Sequence, residues 1–212
     1  MHGVMGRAFG KTITTKGTKD YEGNQLMSEA ARIADQLRRA FNGKAWHGDS
    51  VFQILKGVTA AQAAARPIKS GHTIWELVLH IAAWDGAVLR RMGGVAGTLS
   101  AAKNFPPVKD TSEAAWRTAV AEVRRVHEEL VAAVAALPDS RLDEMVPGKR
   151  GAHHTFYYML HGVVQHELYH AGQIALLKKM GALEPSPCLK GEGLRVKGER
   201  PRHDKGRKVP VL

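Results

Sequence analysis

The stretch that decides the fold is Gln165-His166-Glu167-Leu168-Tyr169-His170-Ala171-Gly172-Gln173-Ile174. On an α-helix, His166 and His170 lie only about 40° apart around the axis, so both rings cover the same face. Apolar residues fall within roughly 80° of His166 on the same helical wheel: Met159, Val163, Ile174 and Leu177. The spacing therefore predicts a helix with both histidines on its core-facing side, whereas His161 falls on the opposite side.

Two histidines in an apolar stripe must remain neutral or find a partner, because burial penalises a charged imidazole. A divalent metal ion bound by both rings would satisfy them, and the pair is therefore a candidate metal site. The alternative is that both are core or surface histidines with ordinary hydrogen bonds.

The composition is that of a globular protein with one sizeable core, with 44% hydrophobic and 24% charged residues in a chain of 212. The net charge of +11 is concentrated at one end, since residues 178–212 contain 10 Lys and Arg against 4 Asp and Glu. The single cysteine, Cys188, excludes an intrachain disulfide and is typical of a reducing compartment. Without a spanning apolar run or a signal-peptide pattern, we expect a cytoplasmic protein that does not enter a membrane.

Helix-start and helix-end signals predict four long helices, over residues 28–42, 73–91, 111–137 and roughly 155–180. Ser28 is the predicted N-cap of the first, and Thr73 with Glu76 forms a predicted capping box for the second. One or two short helices are predicted between Trp46 and Pro67, and loops over residues 95–109 and 139–153. No stretch alternates as a strand would, so the predicted fold is all-α, a four-helix bundle. We expect a flexible leader over residues 1–27, the bundle over 28–183 and a basic disordered tail over 184–212.

Two further features are placed by the helical wheel. His80 lies on the second long helix, roughly 80° from the centre of the apolar stripe, which leaves open whether it is half-exposed or a ligand. The charged residues of the third helix are predicted to form a solvated face: Arg124, Arg125, Glu128 and Glu129.

Other metalloproteins share parts of the histidine stretch. The letters His166-Glu167-x-x-His170 match the HExxH motif of zinc metalloproteases, in which the glutamate is the general base. The longer metzincin motif would need a histidine where this chain has Leu176, and no strand is predicted to hold a peptide substrate. Glu167-x-x-His170 also matches half of a ferritin-like di-iron motif, but only one copy is present.

Residues 28–180 resemble the DinB-like (YfiT-like) superfamily of metal-dependent enzymes. The segment from Thr73 to Trp84, which contains His80, is similar to the family's first ligand segment. The segment from Leu160 to Ile174 is similar to its second, with the H-x-x-x-H pattern followed by Gly-Gln. Two further segments are typical of the family, Asp35-Gln36-Leu37 and Trp46-His47-Gly48.

This resemblance implies a four-helix bundle in which His80, His166 and His170 bind one divalent metal ion, zinc or nickel. Three imidazoles leave open coordination positions, as in catalytic rather than structural sites. Relatives include thiol S-transferases that use bacillithiol, mycothiol or glutathione, and a maleylpyruvate isomerase, so a low-molecular-weight thiol is an expected cofactor. The resemblance also implies a homodimer. Gln173 and Tyr169 are candidates for orienting a ligand or a bound water, or else a surface glutamine and a packing tyrosine.

The predicted function is that of a metal-dependent transferase, of the thiol S-transferase type, or a hydrolase acting on a small molecule. One alternative is a non-catalytic, stress-related bundle with a structural or vestigial metal, whose tail binds nucleic acid or an acidic partner. We do not expect nucleic-acid binding, because the tail has no aromatic residue to stack on bases. The second alternative is the HExxH zinc metalloprotease.

Overall fold

The computed structural model describes residues 27–148 and 154–182. In chain order the helices are α1 (Glu29–Asn42), α2 (Val51–Leu55), α3 (Ala60–Ala64), α4 (Ile74–Met92), α5 (Ala101–Asn104), α6 (Glu113–Ala135) and α7 (Phe156–Ala182). A 3₁₀ turn over Asp139–Arg141 follows α6. The described ranges contain no β-strand, only two isolated bridges, Ala45 with Gly48 and Met145 with Thr155. The predicted all-α fold with four long helices is confirmed.

The helices begin where the capping signals predict. The Ser28 hydroxyl accepts a hydrogen bond from the Ala31 amide (3.1 Å) at the start of α1. At the start of α4, Thr73 Oγ1 accepts from the Glu76 amide (3.1 Å) and Glu76 Oε2 accepts from the Thr73 amide (3.0 Å). The helix ends at two glycines, the second of which, Gly94, has a φ of +86° that favours glycine. These caps fix the start of the helix that carries His80.

Replacing Thr73 by alanine is expected to lower the free energy of unfolding by about 1 kcal/mol, because the Glu76 amide loses its acceptor. The measurement is denaturant unfolding followed by circular dichroism. Thr98→Ala is the matched control, since Thr98 is exposed and lies outside any helix. Equal stability of the two variants would contradict the role of the capping box.

The four long helices pack in the order α1, α6, α4, α7 around the bundle, each against two neighbours. Helix α2 packs on α1 and α7, α3 on α4 and α6, and α5 on α4. The buried apolar residues form two clusters. One surrounds Trp75, Trp116 and Ile174, and the other surrounds Leu37, Leu130 and Leu160. The stripe predicted for α7 is confirmed, since Met159, Val163, Ile174 and Leu177 are all buried.

Some predicted segments differ from the structure or lie outside it. The predicted loop over residues 95–109 contains α5, and the 3₁₀ turn lies in the predicted loop over residues 139–153. The leader before residue 27 and the tail over residues 184–212 lie outside the described residues. In α6 the predicted solvated face is confirmed, with Arg124 bonded to Glu128 on the exposed surface. Among the described helices, none combines the length and apolar character that crossing a membrane requires.

Candidate metal site

Three histidines from two helices meet at one point. His80 comes from α4, and His166 and His170 come from α7, which packs against it. Nε2 of His166 lies 3.0 Å from Nε2 of His80 and 3.0 Å from Nε2 of His170. Residues separated by 86 positions in the chain therefore present three ring nitrogens to one position.

The other ring nitrogen of two of these histidines is held by a neighbouring oxygen. Nδ1 of His80 lies 2.8 Å from the carbonyl oxygen of Asn104, which can only accept, so this nitrogen carries the proton. Nδ1 of His170 lies 2.6 Å from Oε1 of Gln173 and donates to it. With Nδ1 protonated, the Nε2 atoms of His80 and His170 in the neutral rings present lone pairs toward His166.

The surroundings favour neutral rings. Burial, together with the neighbouring imidazoles of His170 and His80, lowers the pKa of His166 to about 3. Burial also lowers the pKa of His80 and that of His170 below the ordinary value. At neutral pH the three rings therefore keep the lone pairs that a metal ion requires.

The donor set fits a divalent metal ion. Nitrogens bound at about 2.0–2.1 Å to one ion, at angles near 90–110°, are separated by roughly 2.8–3.4 Å. The two measured separations of 3.0 Å agree with that range. A single proton on Nε2 of His166 could serve only one of the two facing lone pairs, whereas one cation would be shared by all three nitrogens. His80, His166 and His170 would hold the ion.

The three histidines line a cleft of about 670 Å³. Its walls are largely aromatic, with Trp84, Phe105, Tyr158 and Tyr169 among the lining residues, and Arg91 supplies a cationic group. The Phe105 ring stacks on His80 with centroids 4.1 Å apart, and Trp84 Nε1 donates to Asn104 Oδ1 at 2.8 Å. The site is therefore large enough for a small molecule, which would lie next to the three histidine rings.

A sequence model of the DinB superfamily matches residues 45–174 of this chain. The match covers more than half of the 212 residues and includes all three histidines. The chain belongs to the DinB superfamily. No curated protein and no solved structure matches it.

The structure places the sequence-predicted residues of this DinB-superfamily member as follows. His80, His166 and His170 are brought together, and the possibility that His80 is half-exposed is wrong, since its exposed fraction is 6%. Gln173 contacts His170 as a positioning residue would. Tyr169 lines the cleft but is 65% exposed, and its ring lies 5.0 Å from that of His170. His161 lies apart from the site, next to Tyr157 and Glu29.

The metalloprotease interpretation requires a glutamate that faces the bound substrate. Glu167 is instead fully buried, with an exposed fraction of 0%, and does not line the cleft. Its carboxylate lies 2.8 Å from Nδ1 of His127 on α6. In this DinB-superfamily chain the glutamate of the HExxH letters is turned into the bundle, so it cannot act as the base of a protease.

Two residues of the site were not predicted from the sequence. Asn104 at the end of α5 fixes the His80 tautomer through its carbonyl, and Phe105 covers the His80 ring. The unusual length of the segment over residues 95–109 was the one available signal. It indicated a functional loop, but not which of its residues reach the site.

Replacing Gln173 by alanine is expected to weaken zinc binding by about 10–100-fold, because the proton on His170 Nδ1 loses its acceptor. The measurement is a competition titration of the metal-free protein against a chromophoric chelator. Gln165→Ala is the matched control, since Gln165 lies on the same helix and is exposed. Equal affinities of both variants and the wild type would exclude a positioning role for Gln173.

Proposed function

We propose that this DinB-superfamily protein is a metal-dependent enzyme acting on a small molecule, as a transferase of the thiol S-transferase type or as a hydrolase. The proposal is carried by three ring nitrogens, 3.0 Å apart in two pairs, on histidines that line a cleft of about 670 Å³. Zinc or nickel suits three imidazoles. Three protein ligands leave positions for a substrate or a thiol, which distinguishes such a site from a closed structural one.

A bound divalent ion would act as a Lewis acid that lowers the pKa of a thiol or water. The protein's own residues supply the rest. His80 and His170 are held in one tautomer by Asn104 and Gln173, so the two rings need not reorganise when the ion binds. Trp84 and Phe105 form apolar walls that exclude water on one side of the site.

Arg91 gives the cleft a preference for anionic molecules. Its Nη2 donates to the Gly97 carbonyl at 3.1 Å, and its guanidinium carbon lies 5.4 Å from the centroid of the Trp84 ring. The guanidinium is thereby fixed at the cleft, where it is placed to bind a carboxylate. Carboxylates are present in glutathione and bacillithiol, and this supports the thiol-transfer branch of the proposal.

The test is thiol conjugation by the full-length protein, loaded separately with zinc and with nickel. An aryl halide electrophile is combined in turn with glutathione, bacillithiol and mycothiol, and conjugates are measured by mass spectrometry. A chromogenic ester tests the hydrolase branch. We expect metal-dependent turnover with at least one thiol or with the ester.

His166→Ala should abolish that turnover, whereas His161→Ala should retain it because His161 lies outside the cleft. Both variants carry the same chemical change on the same helix, so any general effect on folding appears in both. Equal turnover by His166→Ala would show that the three histidines do not carry the activity. Absence of turnover by both metal forms would refute the enzymatic function. The non-catalytic bundle would then be the better account.

A further inference from the structure

A second cluster of metal-binding side chains lies in the centre of the bundle, outside the cleft. It consists of Asp85 on α4, His127 on α6 and Glu167 on α7, whose exposed fractions are 0%, 2% and 0%. The ring of Phe41 on α1 stacks on His127 with centroids 4.1 Å apart. All four long helices thus meet at this layer, which we call the central triad (Asp85, His127 and Glu167).

The central triad separates the two apolar clusters of the core. On α4, α6 and α7, one buried apolar residue precedes the triad residue in the chain and one follows it. The two belong to different clusters. The flanking pairs are Ile81 and Val88 on α4, Val123 and Leu130 on α6, and Ala171 and Val163 on α7. The three ionisable groups of this layer therefore lie between apolar residues and do not face solvent.

The hydrogen bonds within the triad are incomplete. Nδ1 of His127 donates to Asp85 Oδ2 at 3.2 Å, while Glu167 Oε1 lies 2.8 Å from the same nitrogen without the alignment of a hydrogen bond. Among the described residues, Asp85 Oδ1 and both carboxylate oxygens of Glu167 have no hydrogen-bond partner. Buried oxygens without partners are rare in folded proteins, and each such group calls for an unseen partner.

The charges in this layer are also unbalanced. Two carboxylates face one imidazole, which can supply at most one positive charge. Both carboxylates are fully buried, and two anions in an apolar layer are costly unless cations or hydrogen-bond donors pair with them. A divalent cation would neutralise both carboxylates and accept the free oxygen lone pairs at once.

We propose that the central triad is a second metal site, in which Asp85, His127 and Glu167 bind a divalent first-row cation such as Zn²⁺ or Mn²⁺ within the bundle. Donors about 2.1 Å from one ion at right angles are separated by roughly 3.0 Å. The observed separations of 2.8 and 3.2 Å from His127 Nδ1 to the two carboxylates agree with this spacing. Binding of the ion would release to solvent the Nδ1 proton that His127 donates to Asp85. The site links α4, α6 and α7 and is independent of the three histidines in the cleft.

The test is the metal content of the full-length protein after unfolding in denaturant with chelator and refolding with Zn²⁺ or Mn²⁺. Refolding is needed because a fully buried site admits an ion only when the bundle opens. We expect about two Zn²⁺ ions per wild-type chain, since both sites contain imidazole. His80→Ala, which changes only the cleft site, should retain about one, and Asp85→Asn should retain about one.

Asp143→Asn is the matched control, because Asp143 is exposed, and it should retain both ions. The double variant His80→Ala with Asp85→Asn should retain none. A metal-free His80→Ala protein, correctly folded by circular dichroism, would overturn the second site and leave the triad as a proton-sharing cluster. This result decides the matter even if Asp85→Asn fails to fold. If the wild type instead holds one ion, which is retained in His80→Ala and lost in Asp85→Asn, the cleft is empty, and this would count against the proposed enzymatic site.

Discussion

Replacing His166 by alanine is expected to weaken zinc binding in the cleft by more than about 100-fold. This loss is larger than the loss expected for Gln173→Ala, which removes only a residue that positions a histidine. His166 is the shared neighbour of the other two histidines, because its Nε2 lies 3.0 Å from those of both His80 and His170. Without it, two imidazoles remain, and a zinc ion loses one of the three protein ligands typical of a catalytic site. The affinity is measured by competition with a chelator on folded, metal-depleted protein.

His161→Ala is the control for this experiment. His161 lies on the same helix but contacts Tyr157 and Glu29 rather than the cleft, so its removal should leave zinc affinity unchanged. An equal decrease in both variants would mean that the effect arises from α7 as a whole and not from a bound ligand.

Replacing Leu130 by alanine is expected to lower the free energy of unfolding by roughly 2–5 kcal/mol. Leu130 has an exposed fraction of 0%, lies in the apolar cluster around Leu37 and Leu160, and does not line the cleft. The substitution removes buried methyl groups and leaves a cavity in a closely packed core. The change is measured by denaturant unfolding of metal-free protein, so that metal binding does not contribute.

Leu176→Ala provides the same chemical change at a position that is 55% exposed on α7. Its free energy of unfolding should stay within about 0.5 kcal/mol of the wild type. Zinc affinity should remain unchanged in both variants, since neither leucine lines the cleft. Similar destabilisation by the two substitutions would contradict the assignment of Leu130 to the core.

The long helices were predictable because their signals are local. Ser28, Thr73 and Ser112 each cap a helix through contacts within three residues along the chain. The spacing of His166 and His170 is likewise a property of one helix, and their convergence follows from its geometry. Such features require no knowledge of the neighbouring elements.

The environment of His80 could not be predicted in this way. The wheel places it on the shoulder of the α4 stripe, and the Asn104 carbonyl and the Phe105 ring are among the groups that make it a buried residue. These groups come from a segment more than twenty positions away, and helical periodicity says nothing about how that segment folds back. The resemblance to the DinB-like superfamily supplied what the periodicity lacked.

The central triad was missed for a related reason. Glu167 and His127 come from different helices, and the residues that follow His127 on α6, Glu128 and Glu129, are charged and exposed. A signal was present, since His127 lies between the apolar positions Val123 and Leu130. A polar residue in the apolar stripe of one helix has many explanations. The three residues can be recognised as a cluster only when the packing of the helices against one another is known.

The central claim is that His80, His166 and His170 bind one divalent metal ion, and anomalous X-ray diffraction tests it most directly. Crystals are grown from full-length protein purified without chelator or affinity nickel, with zinc added, and data are collected on both sides of the zinc absorption edge. We predict an anomalous peak about 2.0–2.1 Å from the Nε2 atoms of all three histidines. The absence of a peak between these rings in zinc-soaked crystals would contradict the claim.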